Sequence, residues 1–329
     1  MQTIERLKKG GWHGLNMRAV FLALLMMSLT LAGCLDNGQE TTVDSGEFSE
    51  KPGWQQGDWW LYTFSTPQFG EDSARLVVAN ISEEEGLFML GISSQREAQR
   101  HAVINHNPFL GRIAMDNLSV FENGVAQNVF NFPWVIGDTW EFTLLGQDWQ
   151  AETIGFNDGI AVVTATSSEG HHLSYRFDGE YGFLEKFLWA DDSNEVQMEM
   201  SLSQLGGDYE GDVWFIQATD LKDELYEESD GDIYDTFLDN GHPSGVNFDY
   251  LVWYLDVDIA QGGSGSLTIK DHAGNSPLAR AWGSGARESG GLGTIPSQTD
   301  EYSLTVSLRG STSYIHLKVA GGIENHWVL

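Results

Sequence analysis

The chain has 329 residues, with 17 Lys and Arg against 48 Asp and Glu, and a formal net charge of −31. Such a charge argues against nucleic acid as a partner and against adsorption to anionic lipid, since both require clustered Lys and Arg. Gly (38 residues) and Trp (12 residues) are abundant and Pro (7 residues) is scarce, a composition typical of many short strands joined by tight turns.

The first 33 residues have the layout of an export signal. Basic residues precede an apolar run over 19–31, which ends in Leu31-Ala32-Gly33-Cys34. As a helix this run spans about 20 Å, less than the roughly 30 Å hydrocarbon core of a bilayer, which disfavours a transmembrane helix. The alternative for Cys34, a buried thiol at the end of a signal anchor, lacks apolar partners in the polar sequence that follows.

The segment Leu31-Ala32-Gly33-Cys34 resembles the lipobox of prokaryotic lipoproteins. The resemblance implies cleavage before Cys34, a diacylglycerol on its sulfur, and a membrane-anchored protein of the cell envelope that faces outside the cytoplasm. Two acyl chains, at about 0.8 kcal/mol per buried CH₂, hold a protein firmly on a bilayer. Without residues 1–33 the chain keeps 13 basic and 47 acidic residues, a net charge of −34. Residues 34–52 are polar and predict a flexible acidic tether.

A motif occurs twice after the tether. Residues 54–63 read WQQGDWWLYT and residues 134–143 read WVIGDTWEFT, so both copies share W-x-x-G-D-x-W-x-[YF]-T. Gly, the second shared residue, supplies a positive φ, Asp bonds neighbouring N–H groups, and the following aromatics alternate onto one face of a strand. The repeat predicts a duplicated antiparallel β domain over 53–205, with units of about 53–130 and 131–205. Ser94–Ala102 is the predicted helix.

The repeated motif resembles one in prokaryotic envelope lipoproteins, and the resemblance implies an open or half β-barrel. The aromatic residues of the two copies leave two interpretations open. They form a filled core, or they line an open sheet that carries a lipid or a glycan. The residues proposed for such a ligand are Trp59, Trp60, Trp140 and Phe142.

The stretch from Asp220 to Asp239 holds nine acidic residues and one Lys. It opens the second predicted domain, 206–329, as an acidic loop. Carboxylates that alternate around a glycine are suited to Ca²⁺, which needs six to eight converging oxygens, and the stretch resembles the D-x-D-x-D-G repeats of calcium-binding loops. The candidate ligands are Glu228, Asp230, Asp232, Asp235 and Asp239. Glu228 replaces the usual Asp and Ile233 replaces the usual Gly, so a solvated acidic loop without metal is the alternative.

Residues 248–319 contain short apolar segments spaced by turn residues, a rhythm that predicts a small antiparallel β-sandwich of the jelly-roll kind. This part resembles the pre-peptidase C-terminal type of sandwich, and the resemblance implies an accessory or binding unit. The sequence as a whole therefore predicts an all-β fold.

Signatures of known catalytic families are absent from the sequence, which has no H-E-x-x-H, G-x-S-x-G, G-x-G-x-x-G or G-x-x-x-x-G-K-[ST] pattern. The spacing of His101 and His106 suits neither an α-helix nor a strand for a shared site, and the histidines are predicted to be surface or hairpin residues. A hydrolase with an unrecognised carboxylate pair stays open, because sequence spacing does not show spatial distance. Asn80 and Asn117 begin glycosylation sequons.

The interpretation that accounts for most of these features is a lipid-anchored, non-catalytic binding or surface-structural module. Its partners would be the membrane, through Cys34, and a glycan, a lipid or another envelope protein. Calcium is the one cofactor that the residues suggest.

Overall fold

The computed structural model describes residues 51–157, 159–229 and 231–329, which form an all-β protein, as predicted. The signal, Cys34 and nearly all of the predicted tether lie outside the described residues, as does Asp230. The strands are β1 Trp59–Thr66, β2 Gly70–Ser82, β3 Leu87–Ile92, β4 Gly111–Ala114, β5 Val120–Glu122, β6 Val125–Gln127, β7 Thr139–Leu144, β8 Gln147–Asn157, β9 Ile160–Ser167, β10 His172–Asp178, β11 Phe183–Ala190, β12 Val196–Gly206, β13 Asp212–Glu227, β14 Ile233–Leu238, β15 Tyr250–Asp258, β16 Ser264–Lys270, β17 Leu278–Trp282, β18 Arg287–Pro296, β19 Glu301–Arg309 and β20 Tyr314–Val328.

A short helix interrupts the strands where the sequence predicts one. Helix α1 (Gln95–Arg100) begins at Ser94, whose hydroxyl accepts a hydrogen bond from the backbone N–H of Glu97. The chain then continues into a π-helical turn, His101–Asn105, in which the N–H of His106 donates to the carbonyl of His101. His106 has a φ of 40° and ends the turn.

Nine neighbouring strands of the large sheet run antiparallel in the order β3-β2-β1-β12-β11-β10-β9-β8-β7. Alternate residues of β1, namely Trp60, Tyr62 and Phe64, are buried in one hydrophobic core, as the period of two predicts. Side chains from residues 98–134, among them Phe109 and Phe130, belong to the same core. The aromatic face of this sheet is therefore packed by the chain that connects β3 to β7.

The two copies of the repeated motif adopt the same turn. Gly57 has a φ of 90° and Gly137 a φ of 87°. In each copy the Gly N–H donates to a carbonyl on the next strand, the Asp N–H donates to the residue three positions earlier, and the Asp carbonyl accepts from the next strand. The positive φ inferred for the Gly therefore holds in both copies, and in the first copy the Asp58 carboxylate also accepts a hydrogen bond of 2.7 Å from the backbone N–H of Gln55.

The last eight strands form a sandwich with jelly-roll connectivity, in which one layer is four strands of the large 16-stranded sheet and the other is a separate four-stranded sheet. One has the order β18-β15-β20-β13 and the other β14-β19-β16-β17. When β13 to β20 are numbered 1 to 8, the two orders become 6-3-8-1 and 2-7-4-5. This is the arrangement that two Greek keys produce. A core that includes Trp253, Leu317 and Val306 lies between them. The predicted jelly-roll-like sandwich is confirmed.

Strand β13 of the sandwich pairs with β3 at one backbone position, Trp214 opposite Ile92, so the large sheet is continuous there. The predicted domain boundary after residue 205 falls one residue before the end of β12, and β12 and β13 are not neighbours in the sheet. The boundary itself stays a prediction.

The acidic stretch differs from the loop that was predicted. Most of it belongs to strands β13 and β14, because its apolar residues alternate with the acidic ones: Tyr226 and Phe237 are buried while their neighbours face water. Outside regular strands lie the short connection between Glu227 and Ile233 and the buried Asp239, which follows β14. Strand β18, rich in Gly, was not predicted at all; it pairs with β15 along its whole length.

Candidate acidic groove

An open groove of about 800 Å³ lies on the sandwich, on the side of the sheet β18-β15-β20-β13 that faces away from the core. Four carboxylates line it, together with a histidine, a tyrosine and a short Ser-Thr-Ser turn. The lining residues are Gln68, Asp223, Leu225, Glu227, Glu228, Asp256, Ser311, Thr312, Ser313, Tyr314 and His316.

Strand alternation places these side chains together. On β13, Asp223, Leu225 and Glu227 are two residues apart and therefore point to one face. On β20, Tyr314 and His316 share the outer face, while Ile315 and Leu317 enter the core. Strands β13 and β15 both pair with β20, so side chains from the three strands lie next to one another.

Two cross-strand residue pairs bring the polar side chains of the groove together. Asp223 pairs with Lys318, and Asp256 pairs with His316. Cross-strand pairing brings their side chains within contact distance across the sheet. Residues that are about 30 to 90 positions apart in sequence thus become neighbours.

The side chains of His316 and Lys318 both contact the carboxylate of Asp223. The Nε2 atom of His316 lies 2.6 Å from Oδ1 of Asp223, and Nζ of Lys318 lies 3.0 Å from Oδ2. The amide Nε2 of Gln68 lies 3.4 Å from Nδ1 of His316. Partial burial alone would raise the pKa of Asp223, but the hydrogen bonds from His316 and Lys318 outweigh it and lower the pKa.

Two other carboxylates of the groove have neutral partners. Asp256 accepts a hydrogen bond of 3.1 Å from the hydroxyl of Tyr314, and Glu228 accepts one of 2.9 Å from the N–H of Gly310. Among the described residues, Glu227, Glu228 and Asp256 form no ion pair. The groove therefore presents negative charge to solvent, and the apolar edges of Leu225 and Tyr314 lie beside it.

The predicted calcium ligands occupy different places. Asp235 accepts from the Tyr226 hydroxyl at 2.8 Å and pairs with Lys222 at 2.5 Å. These hydrogen bonds lower its pKa, against the upward effect of burial. Asp232 is exposed in the connection, and Glu228 reaches the groove.

Asp239 is buried and organises a turn. Its carboxylate accepts from the Ser297 hydroxyl at 2.6 Å and from the N–H groups of Gln298, Thr299 and Gly241 at 3.0 to 3.1 Å. Within the described ranges, no group of three or more His, Cys, Asp or Glu side chains is arranged to hold a metal ion. Because Asp230 lies outside those ranges, calcium binding by this loop stays a prediction.

The four aromatic residues proposed for a carried ligand do not share one face. Trp60 and Phe142 are buried in the first core, and Trp140 packs against it. Trp59 points to the opposite face of β1, where its ring lies 4.5 Å from the Arg75 guanidinium. A groove of about 640 Å³ reaches Phe142, but most of its lining side chains are polar. Within the described residues, these four side chains do not line one common cavity. The carrier hypothesis stays a prediction.

The two glycosylation candidates are half-buried. Asn80 lies on β2 opposite Met89, and the side chain of Asn117 accepts a hydrogen bond of 3.0 Å from the N–H of Ser119. Modification of either residue stays a prediction. In the part of the chain that the structure describes, no helix combines the length and the apolar character needed to cross a bilayer.

The structure places His101 and His106 differently from what their spacing predicted. His101 was predicted at the surface, but it is buried, and its ring lies 4.6 Å from that of Phe64. In the π-helical turn one circuit takes more than four residues, so that residues five apart lie on one side, and both histidines line the same pocket.

Sequence reasoning missed the residues of the groove. Asp223, Asp256 and His316 carry no motif, and their proximity depends on the strand register. The one available signal was the alternation of charged and apolar residues in β13 and β20, which marks the face that leaves the core.

Comparisons with known proteins add little to this geometry. No protein-family model matches the chain, and no curated protein matches it. Among solved structures, the Pseudomonas aeruginosa MucA/MucB complex is 9% identical, with 78% of this chain and 94% of that chain covered and a TM-score of 0.23. A crystal structure of MucB with MucA(peri) is 11% identical, with 82% and 89% covered and a TM-score of 0.23.

An exo-β-1,3-galactanase from Phanerochaete chrysosporium, solved with galactose, is 10% identical. The match covers 79% of this chain and 67% of that chain, with a TM-score of 0.19. Similarities at such TM-scores establish neither a shared fold nor a shared activity.

Proposed function

We propose that the protein is a lipid-anchored binding module of the cell envelope whose acidic groove captures a basic peptide segment of a partner protein. The observation that carries the proposal is the convergence of Glu227, Glu228 and Asp256 on one open groove without an ion-pair partner among the described residues. Lys and Arg side chains would supply the missing cations.

The shape of the groove supports a peptide rather than a single small cation. Its volume of about 800 Å³ and open form leave room for several residues of an extended chain. Leu225 and Tyr314 offer apolar contact for the aliphatic stems of Lys or Arg, while the charged ends reach the carboxylates. Electrostatic attraction would speed the encounter, since the whole chain is strongly acidic.

Membrane anchoring rests on the sequence around Cys34. A thioether-linked diacylglycerol would bring a protein of this charge to a surface that it would otherwise not bind. The test is Cys34→Ser in the native host: the protein should leave the membrane fraction and lose the mass of the lipid. Unchanged membrane partition and mass would contradict lipidation.

Peptide binding is tested with a fluorescent tetralysine peptide, and with tetraglutamate as the probe of opposite charge. The wild-type protein should bind tetralysine only, and Glu227→Gln/Asp256→Asn should weaken binding about tenfold, because two close charges are removed. Glu83→Gln/Glu84→Gln removes the same charge from an exposed turn and is the matched control. Equal weakening by both double variants would show attraction to the net charge alone and contradict a groove site.

A further inference from the structure

Strand β7 forms an open edge of the large sheet. Among the strands that the structure describes, only β8 pairs with it. The N–H of Thr143 points away from β8, because it donates a hydrogen bond of 2.8 Å to Oε1 of Gln127. Alternate residues of a strand direct their backbone groups to the same side, so the N–H and C=O groups of Thr139 and Glu141 also face the open edge. Such an edge is a template for a further strand.

The internal repeat shows what occupies the equivalent edge of the first copy. Strand β1 corresponds to β7, and β12 pairs antiparallel with β1 along that edge. After β12 the chain crosses the turn, where the N–H of Tyr209 donates to the carbonyl of Gly57. Gly57 is buried in this arrangement, whereas Gly137 in the second copy is exposed. Within the described chain, β7 therefore lacks the strand that β1 has.

Exposed apolar side chains lie beside the same turn of the second copy. Val135 and Ile136 are each 47% exposed, and Ile154 is 51% exposed. Ile154 corresponds to Ala79 of the first copy, since each follows the residue whose carbonyl accepts from the turn glycine. Ala79 is fully buried in a small cluster against which Tyr209 packs. An apolar residue after an added strand would cover the exposed patch in the same manner.

Carboxylates lie on the outer face of β7 and β8. Glu141, Asp148 and Glu152 are exposed, and within the described residues none of them forms an ion pair. An open groove of about 640 Å³ lies on this face, and Glu141, Asp148 and Gln127 line it, so the groove reaches the open edge. The charge favours a strand with Lys or Arg on this face. It opposes pairing with a second copy of this chain, which is strongly acidic itself.

We propose that the open edge of β7 binds an extended basic segment of a partner protein as an additional antiparallel strand. Basic residues opposite Thr139 and Glu141 would meet the carboxylates of the outer face. An aromatic residue three positions after the one opposite Thr139 would cover the apolar patch. In the first copy Gly206 pairs with Trp59 and Tyr209 follows three positions later, which sets this spacing. The site is separate from the acidic groove of the sandwich and does not depend on it.

The test uses the full chain and a fluorescein-labelled peptide, Val-Lys-Val-Lys-Gly-Asn-Tyr, which has this pattern. Fluorescence polarisation should show saturable binding. N-methylation of both Lys backbone nitrogens should weaken binding about tenfold or more, because it removes the two N–H groups that face β7 and leaves the charge unchanged. N-methylation of the second Val, whose N–H points away from β7, is the matched control and should leave binding unchanged.

Two variants of the protein test the edge and the patch. Thr139→Pro removes one N–H from an edge strand, where Pro is tolerated, and should weaken binding about tenfold. Val135→Gln/Ile136→Gln gives the turn the two residues of the first copy and should weaken binding about fivefold, because apolar contact is lost. The matched control is Leu238→Gln/Val246→Gln, which changes two residues of the sandwich that are 50% and 53% exposed.

Three results would overturn the proposal through the peptide and the two variants: no binding of the parent peptide, unchanged binding after N-methylation of the Lys residues, or wild-type affinity in either variant. A loss of binding in Glu227→Gln/Asp256→Asn alone would place the peptide in the acidic groove instead. A chain that sediments as a dimer without peptide and as a monomer after Thr139→Pro would assign the edge to a second copy.

Discussion

The indole Nε1 of Trp54 donates a hydrogen bond of 2.8 Å to the carbonyl oxygen of Gly182, which lies 128 residues further along the chain. Trp134 holds the same position in the second copy of the repeated motif, yet in the described residues its Nε1 has no hydrogen-bond partner. Each ring contacts the second Trp of its own copy, at 5.2 Å for Trp60 and 6.0 Å for Trp140. The two copies thus share a turn and a ring contact but differ in one polar interaction.

Trp54→Phe should therefore destabilise the protein more than Trp134→Phe. Both changes remove similar apolar area from a buried site, but only the first leaves a buried carbonyl without its donor, at a cost of about 1–2 kcal/mol. Urea-induced unfolding followed by circular dichroism measures the difference. Equal midpoints for the two variants would contradict a stabilising role of the Trp54 hydrogen bond.

The two turn glycines offer a second matched comparison. An added Cβ at Gly57 would lie 3.2 Å from the backbone N of Tyr209, whereas at Gly137 it would meet nothing within 4 Å. Both substitutions to Ala strain a positive φ, at about 1 kcal/mol or more. Gly57→Ala should cost about 1 kcal/mol beyond this, because it also disturbs the hydrogen bond from the Tyr209 N–H to the Gly57 carbonyl.

The glycine comparison is measured as a pair of melting temperatures in one buffer. A lower melting temperature for Gly137→Ala than for Gly57→Ala would show that crowding against Tyr209 adds no destabilisation at Gly57.

Asp223→Ala should destabilise the sandwich by about 1–3 kcal/mol. Lys318 and His316 are mostly buried, so that the variant leaves the ammonium without its partner, although the exposure of Asp223 itself moderates the loss. Lys318→Met in the Asp223→Ala background should restore much of the stability. If the double variant is no more stable than Asp223→Ala, the loss of the ion pair with Lys318 is not the cause of the destabilisation.

The stability of the wild-type protein should fall as the pH decreases from 7 to 5, in part through His101. The folded protein keeps this ring neutral down to a pKa of about 4, while the unfolded chain has the ordinary value near 6.5. The unfolded state therefore binds more protons between these values, and the contribution is complete above pH 6.5 and lost toward pH 4. Between pH 7 and pH 5 the loss amounts to about 2 kcal/mol.

His101→Phe removes this titration and should flatten the dependence by that amount, and His272→Phe should leave it unchanged. The free energy of unfolding in urea at pH 7 and pH 5 measures both. An equal drop for the wild type and for His101→Phe would mean that other groups govern the acid response.

Local features of the fold were predictable from the sequence. The turns at Gly57 and Gly137, the helix after Ser94 and the alternation of β1 each depend on residues a few positions apart, which the sequence displays directly. The jelly-roll rhythm was also visible, although the Gly-rich strand β18 was not, because Gly carries no side chain to reveal alternation.

The candidate sites were less predictable. The acidic stretch drew attention to Glu228, but Asp223, Asp256 and His316 form a groove only through the pairing of β13 and β15 with β20. His101 and His106 share a pocket only because the turn is a π-helix, whose backbone hydrogen bonds span five residues instead of four. Neither arrangement follows from spacing along the chain.

The sequence by itself determined the all-β class, the repeated turn and the expectation of a lipid on Cys34, because these depend on local backbone preference and on a contiguous motif. The tertiary structure alone decided which carboxylates face one another and that, within the described part of the chain, the buried ring of His101 has no hydrogen-bond partner. Strand register and burial are set by contacts between distant residues, and those contacts determine where charge gathers and where water is excluded.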